Sequence, residues 1–225
     1  MADINTNISW QIAVYKTSTK LLEFNDKLNP APVENYGHLH ADADADDTGK
    51  RWYSNIGVVM QDYSGGTGDK LVKVSHNLAP DEICFLLSRL TAGFQEVEFS
   101  QDKIFGGPDA SGHSTVTKIT VRRAVTGSDG KPRKYPWYFQ IENGVGKKAT
   151  NKNGGIYIHK GSYVKQKDVF ANLSDLDAFR MLNRAARYIE VFELTYGPKL
   201  IRDGKAIIEE KRQQAAQEQQ APASA

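Results

Sequence analysis

The sequence predicts an α+β fold in which a unit of four strands followed by a helix occurs twice. Asn77-Leu78-Ala79-Pro80-Asp81-Glu82-Ile83-Cys84-Phe85-Leu86-Leu87-Ser88-Arg89 is echoed, at a constant offset of 95 residues, by Asn172-Leu173-Ser174-Asp175-Leu176-Asp177-Ala178-Phe179-Arg180-Met181-Leu182-Asn183-Arg184. Each copy passes from a polar start into an apolar helix, and each follows a long stretch with strand-like alternation. The expected organisation is one domain over residues 1–203, made of pseudo-repeats at about 8–93 and 94–197, then a short helix and disordered tail over 204–225.

Alternation of apolar and polar residues predicts one or two strands over residues 8–24. Residues 25–49 hold Pro30, Pro32, Gly37 and Gly49 and read as loop with room for one short strand. Arg51 to Tyr63 reads as a strand with Ile56, Val58 and Met60 on one face. Ser64 to Gly68 is a turn, and Lys70 to Ser75 a short strand. The first helix opens at Pro80, with Asp81 and Glu82 beside its free N–H groups, and Gly93 ends it. Its buried stripe is expected at Ile83, Leu86, Leu87 and Leu90, with Cys84 as a buried, inert thiol.

The second half repeats the order. Strands are expected over 94–105, 113–124, 135–143 and 154–163, with a hairpin turn at Gly127–Gly130. Ile119 and Val121 should face the core, and Lys118, Thr120 and Arg122 should face out. Ser174 is the expected cap of the second helix. Leu176, Phe179, Leu182, Ala186 and Ile189 are its expected buried stripe, and Gly197-Pro198 its stop. A shorter charged helix over 205–214 should fade into a tail that cannot build a core.

Composition narrows the function. One cysteine excludes an internal disulfide and a cysteine zinc site. No apolar run approaches the ~20 residues of a membrane span, and the N-terminus lacks the regions of a signal peptide. A cytoplasmic protein with no membrane partner is expected. The net charge of +2 conceals a basic block from His113 to Lys167, where twelve Lys or Arg face only Asp129 and Glu142. Residues 23–47 run the other way, with seven acids against Lys27. A block of this density points to a polyanion partner.

Trp137-Tyr138-Phe139-Gln140-Ile141-Glu142-Asn143, then Ile156-Tyr157-Ile158, then the helix from Leu173 to Tyr196, follow the order of the last strands and final helix of the Whirly family of single-stranded-nucleic-acid-binding proteins. Over residues 8–197 the order of elements resembles that family. Lys16 and Lys20, with Leu21 and Leu22, resemble its DNA-contacting lysine strand, although Thr17-Ser18-Thr19 stands where the family has one glycine. The resemblance implies two sheets packed crosswise, helices joining subunits into a homotetramer, and single strands laid over the sheet edges.

Single-strand binding needs cations that track phosphate and rings that stack on bases. Arg133 and Lys134 directly precede Trp137 and Tyr138. Lys147, Lys148 and Lys152 lie in a Gly- and Asn-rich loop, followed by Tyr157 and Lys160. Lys118 and Arg122 share an outward strand face, and Lys50-Arg51-Trp52-Tyr53 is a thinner equivalent in the first half. The candidate nucleic-acid-binding residues are therefore Lys16, Lys20, Trp52, Tyr53, Lys118, Arg122, Arg133, Lys134, Trp137, Tyr138, Lys147, Lys148, Lys152, Tyr157 and Lys160.

Enzymatic readings are weaker. Asp42, Asp44, Asp46 and Asp47, with His38 and His40, lack the spacing of a calcium loop. His113 and His159 have no nearby nucleophile, and Gly65-Gly66 and Gly106-Gly107 are not phosphate loops. No catalytic residue, metal or cofactor is expected. The expected function is sequence-tolerant coating or protection of single-stranded DNA in replication, recombination or transfer, with RNA as a close variant. The alternative is a structural or virion-type assembly protein whose basic block contacts acidic partners.

Overall fold

In the computed structural model, which describes residues 9–45 and 48–220, the first half contains β1 (Gln11–Lys16), β2 (Lys20–Lys27), the short β3 (Asp42–Ala45) and β4 (Arg51–Tyr53), β5 (Asn55–Asp62), β6 (Val72–Leu78) and α1 (Pro80–Thr91). The second half contains β7 (Glu96–Phe105), β8 (Ser114–Ala124), β9 (Trp137–Gly146), the short β10 (Lys148–Thr150) and β11 (Ile156–Ile158), β12 (Val164–Leu173) and α2 (Asp175–Gln220). Two four-stranded antiparallel sheets result, ordered β1-β2-β5-β6 and β12-β9-β8-β7. Each sheet is a meander interrupted by one small hairpin, β3-β4 in the first and β10-β11 in the second.

The repeat is present in three dimensions. Val74, His76 and Leu78 on β6, and Val169, Ala171 and Leu173 on β12, are buried at the 95-residue offset read from the sequence. α1 and α2 begin at the same offset, and Ile83 and Leu86 correspond to Ala178 and Met181, all four buried. The buried stripe of α2 is thus Ala178, Met181, Leu182, Ala185 and Ile189; the expected Leu176 and Phe179 are exposed. Ser174 caps the helix as expected, its hydroxyl accepting the Asp177 N–H at 3.1 Å. The first cap works from the other side, with the Glu82 carboxylate accepting the Ala79 N–H at 2.7 Å.

Four further expectations are corrected. Cys84 is exposed, because it lies on the side of α1 away from Ile83 and Leu86. The stretch from Arg51 to Tyr63 divides at the buried Ser54 into β4 and β5. The fourth strand of the second sheet is β12, and residues 154–163 hold only the three-residue β11 and a turn. Gly144 on β9 lies against the Val164 carbonyl, so that a Cβ there would collide with backbone, and β12 bulges at Lys165–Lys167 beside it. Finally, Gly197-Pro198 does not stop α2, which runs unbroken from Asp175 to Gln220. The tail from residue 215 is helical to Gln220, and residues 221–225 lie outside the described residues.

The chain forms two compact units. The first comprises residues 9–26 and Ile56–Ala186, and so holds both sheets. Its core is Leu22, Phe24, Ile56, Val58 and Met60 from the first sheet and Ile119, Val121, Trp137, Phe139 and Ile141 from the second. β6 lies against β8, β9 and β12. Asn143 of β9 accepts the Ser75 N–H at 2.9 Å and donates to its carbonyl at 2.8 Å. His76 is buried with Nδ1 2.9 Å from Thr117 Oγ1 and Nε2 2.9 Å from Gln101 Oε1.

The second unit is Lys27–Asn55 with the helix from Arg187 onward. Here packing overrides the helix-breaking signal. Gly197 lies against Leu39, and Gly204, one heptad later, lies so close to the Tyr36 ring that a Cβ would overlap it. Leu200 between them is buried. Continuing the helix buries these groups, which offsets the N–H lost at Pro198. His40 stacks on Phe192 at 5.2 Å, with Nδ1 2.8 Å from Ser54 Oγ and Nε2 3.1 Å from Glu193. This acid–imidazole–hydroxyl relay resembles a nucleophile's, but Ser54 is buried and its oxygen already accepts the Asn29 N–H at 3.1 Å. Its role is to tie the chain around Ser54 to α2.

Candidate nucleic-acid interface

Period-two alternation sorts the second sheet into two faces. Trp137, Phe139 and Ile141 point into the core, which sends Tyr138, Gln140 and Glu142 outward. On β8, Ile119 and Val121 point inward and Lys118, Thr120 and Arg122 outward. Phe170 on β12 points out between the buried Val169 and Ala171. The outer face therefore carries a row across three strands, from Arg122 through its cross-strand partner Tyr138 to Phe170.

The row is aromatic and cationic. Tyr138 and Phe170 stack with centroids 5.6 Å apart, and Lys20 lies 4.1 Å above the Phe170 ring while pairing with Asp62 at 3.1 Å. Tyr15 reaches the Asn172 carbonyl with its hydroxyl at 3.1 Å. A depression of about 360 Å³ opens beside Tyr138, lined by Thr120, Arg122, Arg133, Pro136 and Gln140. Burial, reinforced by the Asp168 charge, raises the Tyr138 pKa, so the ring stays neutral. Farther along β8 and β9, Lys118 lies over the Tyr163 ring at 4.4 Å, and the Tyr163 hydroxyl donates to Glu142 at 3.1 Å.

Cations counted along the sequence are not cations free on the surface. β8 pairs in register with the acidic β7, so Arg122 meets Glu98 at 2.8 Å and Lys118 meets Asp102 at 2.8 Å. Lys165 pairs with Asp168, and Lys131 stands 4.0 Å from Asp129. Arg123 is buried and gives two hydrogen bonds to Asp175 while also donating to the Phe94 carbonyl. Among the described residues Arg133, Lys134, Lys147, Lys148, Lys152, Lys160 and Lys167 of the block have no ion pair.

Four of those cations, with Tyr157, belong to the β10-β11 hairpin and its flanks. Asn151 holds the tip by accepting the N–H groups of Asn153 at 3.0 Å and Gly155 at 2.8 Å. Ile158 roots the hairpin, since Gly146 lies so close that a Cβ would sit 3.1 Å from both Ile158 and Val116. Lys147, Lys148, Lys152, Tyr157 and Lys160 are all exposed, with Lys148 donating to the Gly106 carbonyl at 2.5 Å. Lys134 lies 5.4 Å from the Tyr135 ring.

The structure thus brings Lys20, Lys118, Arg122, Arg133 and Tyr138 together on one face and gathers the hairpin residues as a second cluster. Lys16 is exposed at the end of β1. Trp52 and Tyr53 lie on β4 in the second unit, half-buried and exposed respectively. Trp137 corrects an expectation. It is fully buried, its Nε1–H donates to Asp175 at 2.8 Å, and it offers no face to a base. The same contacts, led by the Arg123 hydrogen bonds, lower the Asp175 pKa. Phe170 was missed because β12 was missed; its signal was the alternation of Val169, Ala171 and Leu173 around it.

Among the described residues no group of three His, Cys, Asp or Glu is placed to hold a metal ion, and no helix is long and apolar enough to cross a membrane. Asp46 and Asp47 of the acidic loop lie outside the described residues. No family model and no curated protein matches the chain. Among solved structures it is similar to the plant transcriptional regulator PBF-2, with a TM-score of 0.42 and 10% identity over 87% of this chain and 86% of that one. At that score and identity the likeness bears on neither function nor site.

Proposed function

We propose that the chain is a non-enzymatic, sequence-tolerant protein that binds single-stranded DNA across the outer face of its second sheet. The observation that carries this reading is the stack of the half-buried Tyr138 on the exposed Phe170, flanked by Arg122, Arg133 and Lys20 and continued by the unpaired lysines of the hairpin. Rings on a pleated face receive bases of any identity, and the cations without an ion pair, Arg133 and the hairpin lysines, track the phosphates. Coating or protection of strands in replication, recombination or transfer, in the cytoplasm, follows as its use, and RNA is a close variant. The resemblance to the Whirly family implies the same function.

Assembly is part of the proposal. Val191, Leu194, Pro198, Ile201 and Ile208 recur along α2 near heptad spacing, and Val191 and Leu194 are 60% and 69% exposed. A second copy of this chain would cover them, and a homotetramer is the state the Whirly resemblance implies. The stripe also favours the alternative of an assembly protein whose basic hairpin meets acidic partners.

Fluorescence polarisation with a labelled oligonucleotide at two salt concentrations separates the two readings. Binding that weakens with salt, and that Tyr138→Ala weakens about tenfold, supports the proposal. No binding at low salt sinks it.

A further inference from the structure

If the outer face of the second sheet takes single strands, as proposed above, its charges decide which part of the strand it takes. Both cations that β8 places on the face are already engaged. Glu98 stands directly opposite Arg122, and Asp102 directly opposite Lys118. Arg122 gives both Nε, at 3.1 Å, and Nη2, at 2.8 Å, to one Glu98 oxygen, so the side-on edge of the guanidinium is occupied and its charge is balanced there. Lys118 gives its ammonium to Asp102 at 2.8 Å.

Two more acids stand on the same face. Asp168 accepts from Gln140 at 3.0 Å and pairs with Lys165 at 3.2 Å, and Glu142 accepts from Tyr163. A phosphate laid on the middle of the face would displace these pairs and meet the freed carboxylates. A base laid there would meet the Tyr138 and Phe170 rings and the wall of the neighbouring depression. Of the unpaired cations, Arg133 stands at the wall of that depression, Lys134 just ahead of β9, and Lys147, Lys152 and Lys160 just beyond it, where a backbone carried above its bases would pass.

We propose that Glu98 and Asp102 are specificity-determining residues of this face: by engaging Arg122 and Lys118 they exclude phosphate and leave the face to nucleobases. Unpaired strands, whose base faces are free to turn inward, are then preferred over duplex, whose base faces are stacked away beneath its phosphates. The two carboxylates act as a negative selection against duplex rather than as contacts with the ligand.

The test uses the full chain, a labelled oligothymidylate, the same oligonucleotide with abasic residues in place of its central nucleotides, and a duplex of equal length. The wild-type protein should bind the abasic strand about tenfold more weakly than the intact one, at an unchanged salt slope. The double variant Glu98→Gln, Asp102→Asn frees two cations. Its log–log salt slope should steepen by about 1.4, for two phosphate contacts at about 0.7 each, and its duplex affinity should rise. The Arg122–Glu98 pair is exposed and the Lys118–Asp102 pair partly so, and such pairs contribute little to stability, so the variant should melt nearly as the wild type does, and each single substitution should show part of the same change. Equal wild-type affinity for abasic and intact strands overturns the proposal while leaving single-strand binding in place. A folded double variant with unchanged slope and duplex affinity does the same. A wild-type protein that binds none of the three overturns the functional reading and this proposal with it.

Discussion

His76 makes the packing between the two sheets sensitive to acid. Its imidazole is 2% exposed, both ring nitrogens are hydrogen-bonded, and Lys103 and Asp102 are the charges that face it. Burial holds its pKa at about 4, below the ordinary 6.5. As the pH falls below 6.5 the unfolded chain takes up a proton that the folded chain refuses until about 4. Stability present above pH 6.5 is therefore lost as the pH falls toward 4. The whole span corresponds to about 3 kcal/mol, and about 2 kcal/mol of it is gone by about pH 5. Urea unfolding at neutral pH and near pH 5, for the wild type and His76→Gln, measures it. Glutamine does not titrate, so the wild type should lose about 2 kcal/mol more than the variant, roughly 1 M in urea midpoint for a slope near 2 kcal/mol per M. The variant's lower stability at both pH values cancels in this comparison. Equal losses in the two proteins would refute the reasoning.

Reversing Lys147 and Lys148 to Glu should weaken binding of all single strands about equally and flatten the salt dependence; unchanged affinity would remove the hairpin from the interface. Light scattering should give a mass above one 25.0 kDa chain at micromolar concentration, and Val191→Glu with Leu194→Glu should lower it; a wild-type monomer counts against assembly through α2. Gly204→Ala raises helix propensity by about 1 kcal/mol, yet the methyl would overlap the Tyr36 ring. A net loss of about 1 kcal/mol or more is expected in thermal melts, and a rise in melting temperature would show that Tyr36 does not pack there.

The fold was legible where local pattern and tertiary environment agree. The 95-residue echo located both helix starts, and strict alternation placed Ile119 and Val121 inside and set Tyr138 on the face opposite Trp137. It was illegible where distant partners decide. β12 is polar over Lys165–Asp168, at an edge where side chains stay wet, so only its last residues alternate visibly. Gly197-Pro198 has the composition of a stop, and only the packing of Leu39 and Tyr36 against α2 explains its continuation. The basic block was visible as composition, but β7, which neutralises its centre, lies earlier in the chain and meets β8 only through pairing. Trp137 and Tyr138 are neighbours in one aromatic run; alternation sets them on opposite faces, and only the packing of the two sheets assigns Trp137 to the core.

Joining two like halves in one polypeptide also relaxes a rule that separate subunits must obey. In an isologous pair every residue on one side recurs on the other, so a polar group introduced at the contact appears twice and must be satisfied twice. Covalently fused halves escape that symmetry. At one repeat position the first half buries His76 and the second buries Ala171. Thr117 and Gln101 serve the single imidazole, and no counterpart has to be accommodated. Fusion thus lets each sheet bury its own set of polar groups without a copy in the other.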